Sequence, residues 1–386
     1  MADYSRSLKH WQSNLGTGMK IPQMKPFVGL EEYESIKECF ETNWLTEGPK
    51  SKQFVAELCK IIGTKYGVLA PNGTLALYLG LRSLGIKEGD EVIVPNFTFI
   101  ASATAVSMTG ATPVFVDVEL DSLQIDVQDC ERVMTPQTKA IMPVHIYGGA
   151  CDMTQVMNFA KKHSLLVIED AAQAVGVNWG EKHCGSFGDV GCFSFFADKT
   201  ITTVEGGFVC TDNEEIYKKL LLLRNQGRIN RGTFIHPEIG YNFRMNDIQS
   251  AIGLKQLEKK EFIFRRKIEN FNLYYERLKH NKNLNIILPK EESGFVPFRV
   301  AVMFNDKAAA IAKFLTSNGI ETRTFFYPLH KQPCYSNKTN KDANFSSSNK
   351  LFDHGLCFPV YPELTKEQID YICDKIEQFY DEKGLL

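Results

Sequence analysis

Lys199 follows directly on an apolar run, Gly191-Cys192-Phe193-Ser194-Phe195-Phe196-Ala197-Asp198, and that placement gives its amine a possible chemistry. An amine held in a poorly hydrated pocket loses part of its preference for the charged form, as a lysine nucleophile or proton carrier requires. Most lysines are solvated surface charges, so Lys199 gains meaning only from what else the chain brings near it. Glu205-Gly206-Gly207 follows closely, and its adjacent glycines imply backbone packed tightly beside the lysine. A second junction is Val167-Ile168-Glu169-Asp170-Ala171-Ala172-Gln173, where two carboxylates end an apolar run. Asp170 there either caps a helix or, desolvated at a sheet rim, meets a cation, a metal or a set of donors. In Ala70-Pro71-Asn72-Gly73-Thr74, Gly73 permits close approach, and Thr74 can cap a helix beginning near Leu75. The Thr74 hydroxyl and the first free N–H groups could hold a phosphate, although a plain helix cap leaves the same trace. Neither G-x-G-x-x-G nor a lysine-bearing phosphate loop occurs here. The fourth junction is Gly240-Tyr241-Asn242-Phe243-Arg244-Met245-Asn246-Asp247. Asn246 or Asp247 caps the helix that follows, whereas capping does not account for Asn242 and Arg244, which could reach a ligand or a neighbouring subunit.

The elements that must position these residues are legible as a pattern. Short apolar runs at 66–70, 92–94, 113–116, 140–144 and 165–168 alternate with helical segments, which predicts a mainly parallel sheet covered on both faces. Runs at 191–195 and 207–211 add strands to the same sheet. Such sheets place ligands at the carboxyl ends of their strands, where these junctions lie. Segments 214–224 and 246–278 have helical spacing, and the second is long enough to bridge into another domain. Further on, strands at 297–303 and 321–324 and helices at 307–317 and 366–380 predict a small α+β domain, with 336–350 as a loop. The expected division is a tail at 1–20, a large domain at 21–260 and a small C-terminal domain with its bridging helix at 261–386.

Composition narrows the function classes. The chain of 386 residues carries 44 basic and 46 acidic side chains, a net charge of −2. That balance leaves no electrostatic footprint for nucleic acid or an anionic membrane. The 10 cysteines are scattered without a C-x-x-C pair, as small buried hydrophobes in a reducing compartment and not as metal ligands. Residues 1–20 are polar and lack a secretory core. The uncharged stretch 92–116 is broken by Pro95 and Pro113 and is too polar for a membrane span. A soluble, cytoplasmic protein is expected.

In combination, a phosphate cradle, a carboxylate at a buried edge and a pocket lysine are what pyridoxal 5'-phosphate needs. The lysine bonds its aldehyde carbon, the helix end holds its phosphate, and the carboxylate keeps its pyridine nitrogen protonated. Through Glu169–Gln173, Gly185-Ser186-Phe187-Gly188-Asp189 and Ser194…Lys199…Glu205-Gly206-Gly207, the chain from about Ile21 onward resembles the sugar-nucleotide aminotransferases of the DegT/DnrJ/StrS group. The resemblance implies the fold-type I α/β architecture, with a large, mainly parallel domain and a small α+β domain. It also implies Lys199 as the catalytic residue, Gly73, Thr74 and Ser194 at the cofactor phosphate, and Phe99 stacked on its ring. Asp170 would meet the ring nitrogen and Gln173 the ring hydroxyl. Asn242 would reach the cofactor phosphate of a second subunit, in a homodimer with shared sites.

On the substrate side the resemblance places Trp44 and Thr46, with Tyr327 and His330, near the sugar nucleotide. Arg228 and Arg231 either clamp a diphosphate or form a solvated turn, and His145 ends a strand at the ligand edge. The implied reaction moves an amino group from an amino acid, L-glutamate first, to a nucleotide-linked 4-keto-6-deoxyhexose. C3 amination, sugar dehydration, a non-nucleotide ketone substrate and a silent cofactor-binding regulator are the alternatives. Relatives with histidine at the lysine position are dehydratases, so Lys199 favours transamination. One departure stands out: Ala197-Asp198 replaces the Pro-Thr or similar pair of many relatives and puts a carboxylate beside the lysine.

Overall fold

The computed structural model describes residues 19–230, 232, 234–336 and 344–382. Five strands come first: β1 (Tyr66–Ala70), β2 (Glu91–Pro95), β3 (Thr112–Val116), β4 (Thr138–Ile141) and β5 (Leu166–Asp170). A short hairpin, β6 (Asn178–Trp179) and β7 (Lys182–His183), separates them from β8 (Val190–Ser194) and β9 (Gly207–Thr211). Without the hairpin, these strands make one sheet of order β1-β9-β8-β5-β4-β2-β3, in which β9 runs against both neighbours and the other pairings are parallel. Alternate residues feed two cores. Leu69, Ile93, Ile141, Val167 and Phe193 face one, and Val68, Val92, Ala140, Ile168 and Cys192 face the other. Burial on both faces is why these strands read as unbroken apolar runs. Helices Pro49–Ile62 and Met153–His163 cover the first face, and Gly73–Ser83 and Ala101–Met108 the second.

The C-terminal part builds an antiparallel sheet of order β10-β11-β13-β12, from β10 (Leu284–Ile286), β11 (Val300–Phe304), β12 (Arg323–Thr324) and β13 (Gly355–Phe358). A third core lies against it, fed by Phe271 and Tyr274 of the Lys260–Leu278 helix and by the Lys366–Asp381 helix. Ile21 also packs there: its N–H donates to Gly319 O at 2.8 Å, so the chain enters through this unit before building the large sheet.

Two expectations change. The 246–278 helix is two helices, Asp247–Glu258 and Lys260–Leu278, which meet at Lys259, whose ammonium pairs with Glu32. The loop expected at 336–350 gives way to a helix at Ser346–His354, and 337–343 lie outside the described residues. That helix start is capped from far away. Asp117 accepts from the Ser347 and Ser348 N–H groups at 2.9 Å each and from the Ser348 hydroxyl at 2.6 Å. A serine-rich segment without its own cap therefore reads as loop in sequence and folds as helix in context.

Candidate active site

The carboxyl ends of β1, β5 and β8 and the loop after β8 open into one cleft of about 550 Å³. Asn72 caps the Gly73–Ser83 helix: its Oδ1 accepts from Leu75 N at 3.0 Å. The helix therefore begins at Gly73 and not near Leu75, and the Thr74 hydroxyl is not the cap. Gly73 is required by crowding, since a Cβ there would stand 2.7 Å from Ser194 Cβ. Gly207 has the same reason: its Cβ would stand 2.3 Å from Asn72 O. Both glycines let the helix N-terminus and the Ser194 hydroxyl close on one point, a suitable seat for an anion.

At the end of β5, Asp170 is buried and is followed by a turn, not by a helix it could cap. Its Oδ2 accepts from Ser102 Oγ at 2.7 Å and its Oδ1 from Ala172 N at 3.1 Å. Burial raises its pKa, and these two donors hold it back, with Lys199 a smaller influence. Gln173 Oε1 takes Tyr147 N at 2.7 Å. Phe99 is 58% exposed and lines the cleft, so it is no core phenylalanine. Its ring centroid lies 6.2 Å from that of Phe326, which in turn stacks on Tyr147 at 5.5 Å.

Lys199 reaches the same cleft with its ammonium 4.8 Å above the Phe298 ring. Burial lowers its pKa, Asp198 and then Asp170 oppose that, and Arg299 and Arg323 push it further down. The neutral amine is thus more accessible than on a surface lysine.

Glu169 has a different task from its neighbour. Its Oε1 accepts from Phe187 N and Gly188 N at 2.6 and 2.7 Å, and its Oε2 from Gly185 N at 2.6 Å and His145 Nε2 at 3.0 Å. The Gly185–Asp189 motif is therefore a backbone nest that closes around this carboxylate. It also accounts for His145, which is fully buried, accepts from Cys151 N through Nδ1 at 3.1 Å and does not reach the cleft. The sequence placed His145 at the rim because its strand ends there; its ring turns inward to pair with Glu169.

Other expected residues stand apart from this cleft within one chain. Trp44 and Thr46 are exposed; the indole lies against Gly48, and Thr46 O accepts from Asp247 N at 3.2 Å. Arg228 lines a separate cavity of about 520 Å³ with Lys52, Arg224 and Arg244. Its Nε is buried without a hydrogen-bond partner among the described residues. Arg231 lies outside the described residues. Asn242 is exposed beside that cavity, its Oδ1 accepting from Arg244 Nε at 2.9 Å. Tyr327 packs edge-on against Phe352 at 5.0 Å. The His330 N–H donates to Asn96 Oδ1 at 2.9 Å and its ring stacks on Phe345 at 4.5 Å, which gives it a structural occupation.

Sequence reasoning missed the cleft residues Tyr147, Phe326, Arg299 and Arg323, and the buried Ser102 that bonds Asp170. Arg299, between Phe298 and Val300 just before β11, carried a signal in being a charge within an otherwise apolar run. Behind it lies Lys267, 5% exposed, whose pKa is lowered to about 7 by burial first and by Arg299 next, with Asp198 opposing. The unfolded chain holds a proton on Lys267 up to about pH 10.4, the folded chain only to about 7, so stability gained from this residue rises with pH across that window. Lys267→Met is expected to stabilise the fold at pH 7 by ~2–4 kcal/mol, with the gain shrinking toward pH 10. Paired denaturation curves at the two pH values check it, and a pH-independent difference would refute the buried amine as its source.

Sheet topology and cleft together put the chain among the lysine-dependent transferases of pyridoxal phosphate chemistry. The assignment narrows further: the chain belongs to the DegT/DnrJ/EryC1/StrS aminotransferase family, whose model matches residues 26–377. It is 39% identical over 370 residues to the GDP-perosamine synthase of Escherichia coli O157:H7, covering 94% of this chain and 99% of the relative. Identity to the GDP-perosamine synthase of Vibrio cholerae is 36% over 368 residues, with 94% and 99% covered. Among solved structures, Spr1654 of Streptococcus pneumoniae in its PLP form superposes with a TM-score of 0.90 at 26% identity, over 94% of this chain and 99% of that one. The protein is a sugar aminotransferase.

Proposed function

We propose that this enzyme transfers the amino group of L-glutamate to the keto carbon of a GDP-linked 4-keto-6-deoxyhexose. The product would be a perosamine-like 4-amino-4,6-dideoxy sugar, made in the cytoplasm for a surface polysaccharide or glycoconjugate. The convergence of Lys199, Asp170 and the Gly73–Ser194 seat in one cleft carries the reaction class. The names of the relatives support the sugar and the nucleotide.

The residues fit pyridoxal phosphate. The missing side chain of Gly73 opens a seat for its phosphate at the helix N-terminus, with Thr74 and Ser194 beside it. Asp170 is a buried carboxyl whose protein partners are Ser102 and Ala172, and a protonated ring nitrogen would relieve its desolvation. Phe99 and Gln173 line the same cleft, where they would offer a face for the ring and a partner for its hydroxyl. Bound there, pyridoxal phosphate supplies an aldehyde to take up the donor's amino group and a ring to withdraw the electrons released at the donor's Cα.

The chain's own residues do the rest. Lys199 Nζ, favoured as the free amine by burial, would remove the proton from the donor's Cα and deliver it across the amino nitrogen to the cofactor's aldehyde carbon. The same atom works in reverse when the keto sugar takes the amine. Asp170 would hold the proton on the ring nitrogen, with its carboxylate oriented by the Ser102 hydroxyl. Phe298, Tyr147 and Phe326 keep water from the amine. Trp44, Thr46, Arg228, Arg231, Tyr327 and His330 would serve the sugar nucleotide, some from a second subunit, with Asn242 reaching the partner's phosphate seat. The exposure of Asn242 and Trp44 away from their own chain's cleft supports that homodimer.

A panel of nucleotide-linked keto sugars with L-glutamate and cofactor, scored by product mass, tests the reading. GDP-4-keto-6-deoxymannose is expected to gain an amine while 2-oxoglutarate accumulates. Amination of no sugar in the panel would overturn it.

A further inference from the structure

Two guanidiniums converge on one carboxylate beside Lys199. Arg299 Nη2 donates to Asp198 Oδ2 at 2.8 Å, and Arg323 Nη1 stands 3.6 Å from the same oxygen. Asp198 Oδ1 is buried without a hydrogen-bond partner among the described residues. The Arg299 side chain is 4% exposed, whereas that of Arg323 is 59% exposed. Both line the cleft, but Arg323 is the one with a face left for a ligand. Two guanidiniums face this one carboxylate, so this end of the cleft carries more positive charge than Asp198 neutralises.

Arg299 is matched by Asp198, which leaves the exposed Arg323 guanidinium with donors to offer an anion. The arginine pair lies on the C-terminal sheet, on β12 and just before β11, whereas the phosphate seat lies on the central sheet. A second anion is therefore implied, close to Lys199. The donor's carboxylate is one bond from the carbon that Lys199 must deprotonate. The diphosphate of a sugar nucleotide is separated from its keto carbon by the sugar ring. Proximity to the lysine therefore favours the carboxylate, and guanidiniums bind carboxylates with matched geometry. Asp198 already shows the arrangement: a carboxylate oxygen between two guanidiniums.

We propose that Arg323, backed by Arg299, receives a carboxylate of the amino donor, and that Asp198 is a built-in competitor for it, setting how loosely the donor is held. The inference rests on the reading of a dicarboxylate donor such as glutamate. It makes Arg323 and Asp198 specificity residues with effects of opposite sign.

Glutarate, a dicarboxylate without an amine, probes the site by calorimetry on the cofactor-loaded enzyme, with butyrate as the single-carboxylate control. Arg323→Gln, at an exposed side chain that folding tolerates, is expected to weaken glutarate about ten-fold or more, the loss of one charge-assisted hydrogen bond. Asp198→Asn is expected to tighten it about three-fold or more, because a competing negative charge is gone. In the half-reaction, Arg323→Gln should raise KM for L-glutamate and spare kcat, and Arg323→Lys should restore part of the loss. Wild-type conversion of glutamate with an unchanged KM in Arg323→Gln would overturn the inference and leave the aminotransferase standing. So would a change confined to the keto sugar's KM, or weaker glutarate binding by Asp198→Asn. A wild type that ignores glutamate would remove the donor reading itself, and this inference with it.

Discussion

Lys199→Ala is expected to lose transamination by ~10⁴-fold or more while the protein stays folded. One nitrogen would carry the covalent attachment and both proton transfers, so its removal takes away several contributions that do not add independently. Lys199 Nζ stands over the Phe298 face and makes no side-chain hydrogen bond among the described residues, so stability should change little. Turnover with L-glutamate and thermal melting of the same preparation check both halves. Residual turnover within roughly ten-fold of wild type would remove Lys199 from the chemistry.

Glu169→Ala should have the largest effect on stability, a loss of ~3–5 kcal/mol. The carboxylate is fully buried and takes three backbone N–H groups and the His145 ring. Its removal would strand all four donors in the interior. Glu169→Gln keeps the shape but turns an NH2 toward N–H groups, so the isostere should also destabilise, by a smaller amount. Denaturant midpoints of the three proteins decide it. Equal midpoints would show that the loop at 185–188 holds itself without the carboxylate.

Much of the cofactor side was legible because it lies at strand ends, where an apolar run stops and a chemically active residue begins. Lys199, Asp170, Ser194 and Gly73 all carry that mark, and the structure brings them into one cleft. The resemblance singled out Asp170, but the task of Glu169 needed coordinates: adjacent residues on a strand point to opposite sides, and Glu169 turns to the Gly185–Gly188 nest. The same alternation hid His145, whose position was read correctly but whose direction was not. The arginines of the C-terminal sheet escaped notice because they approach Lys199 through tertiary packing, with no local sequence cue tying residue 299 or 323 to residue 199. The Ser346–His354 helix was missed for the same reason, its cap being supplied by Asp117.

The position of β9 bears on how the enzyme comes into being. It is the last strand of the central sheet to be synthesised, yet it stands inside it, and β1 joins the sheet through β9. While a ribosome has released the chain only through β8, β1 lacks its pairing strand, and the turn that leads from β1 to Gly73 lacks the backing of Gly207. The anion seat should therefore be complete only once β9 has inserted, and cofactor should bind tightly only then. Binding becomes a checkpoint on completed folding: it adds its stabilisation only to chains in which β9 has inserted, and draws late intermediates toward them.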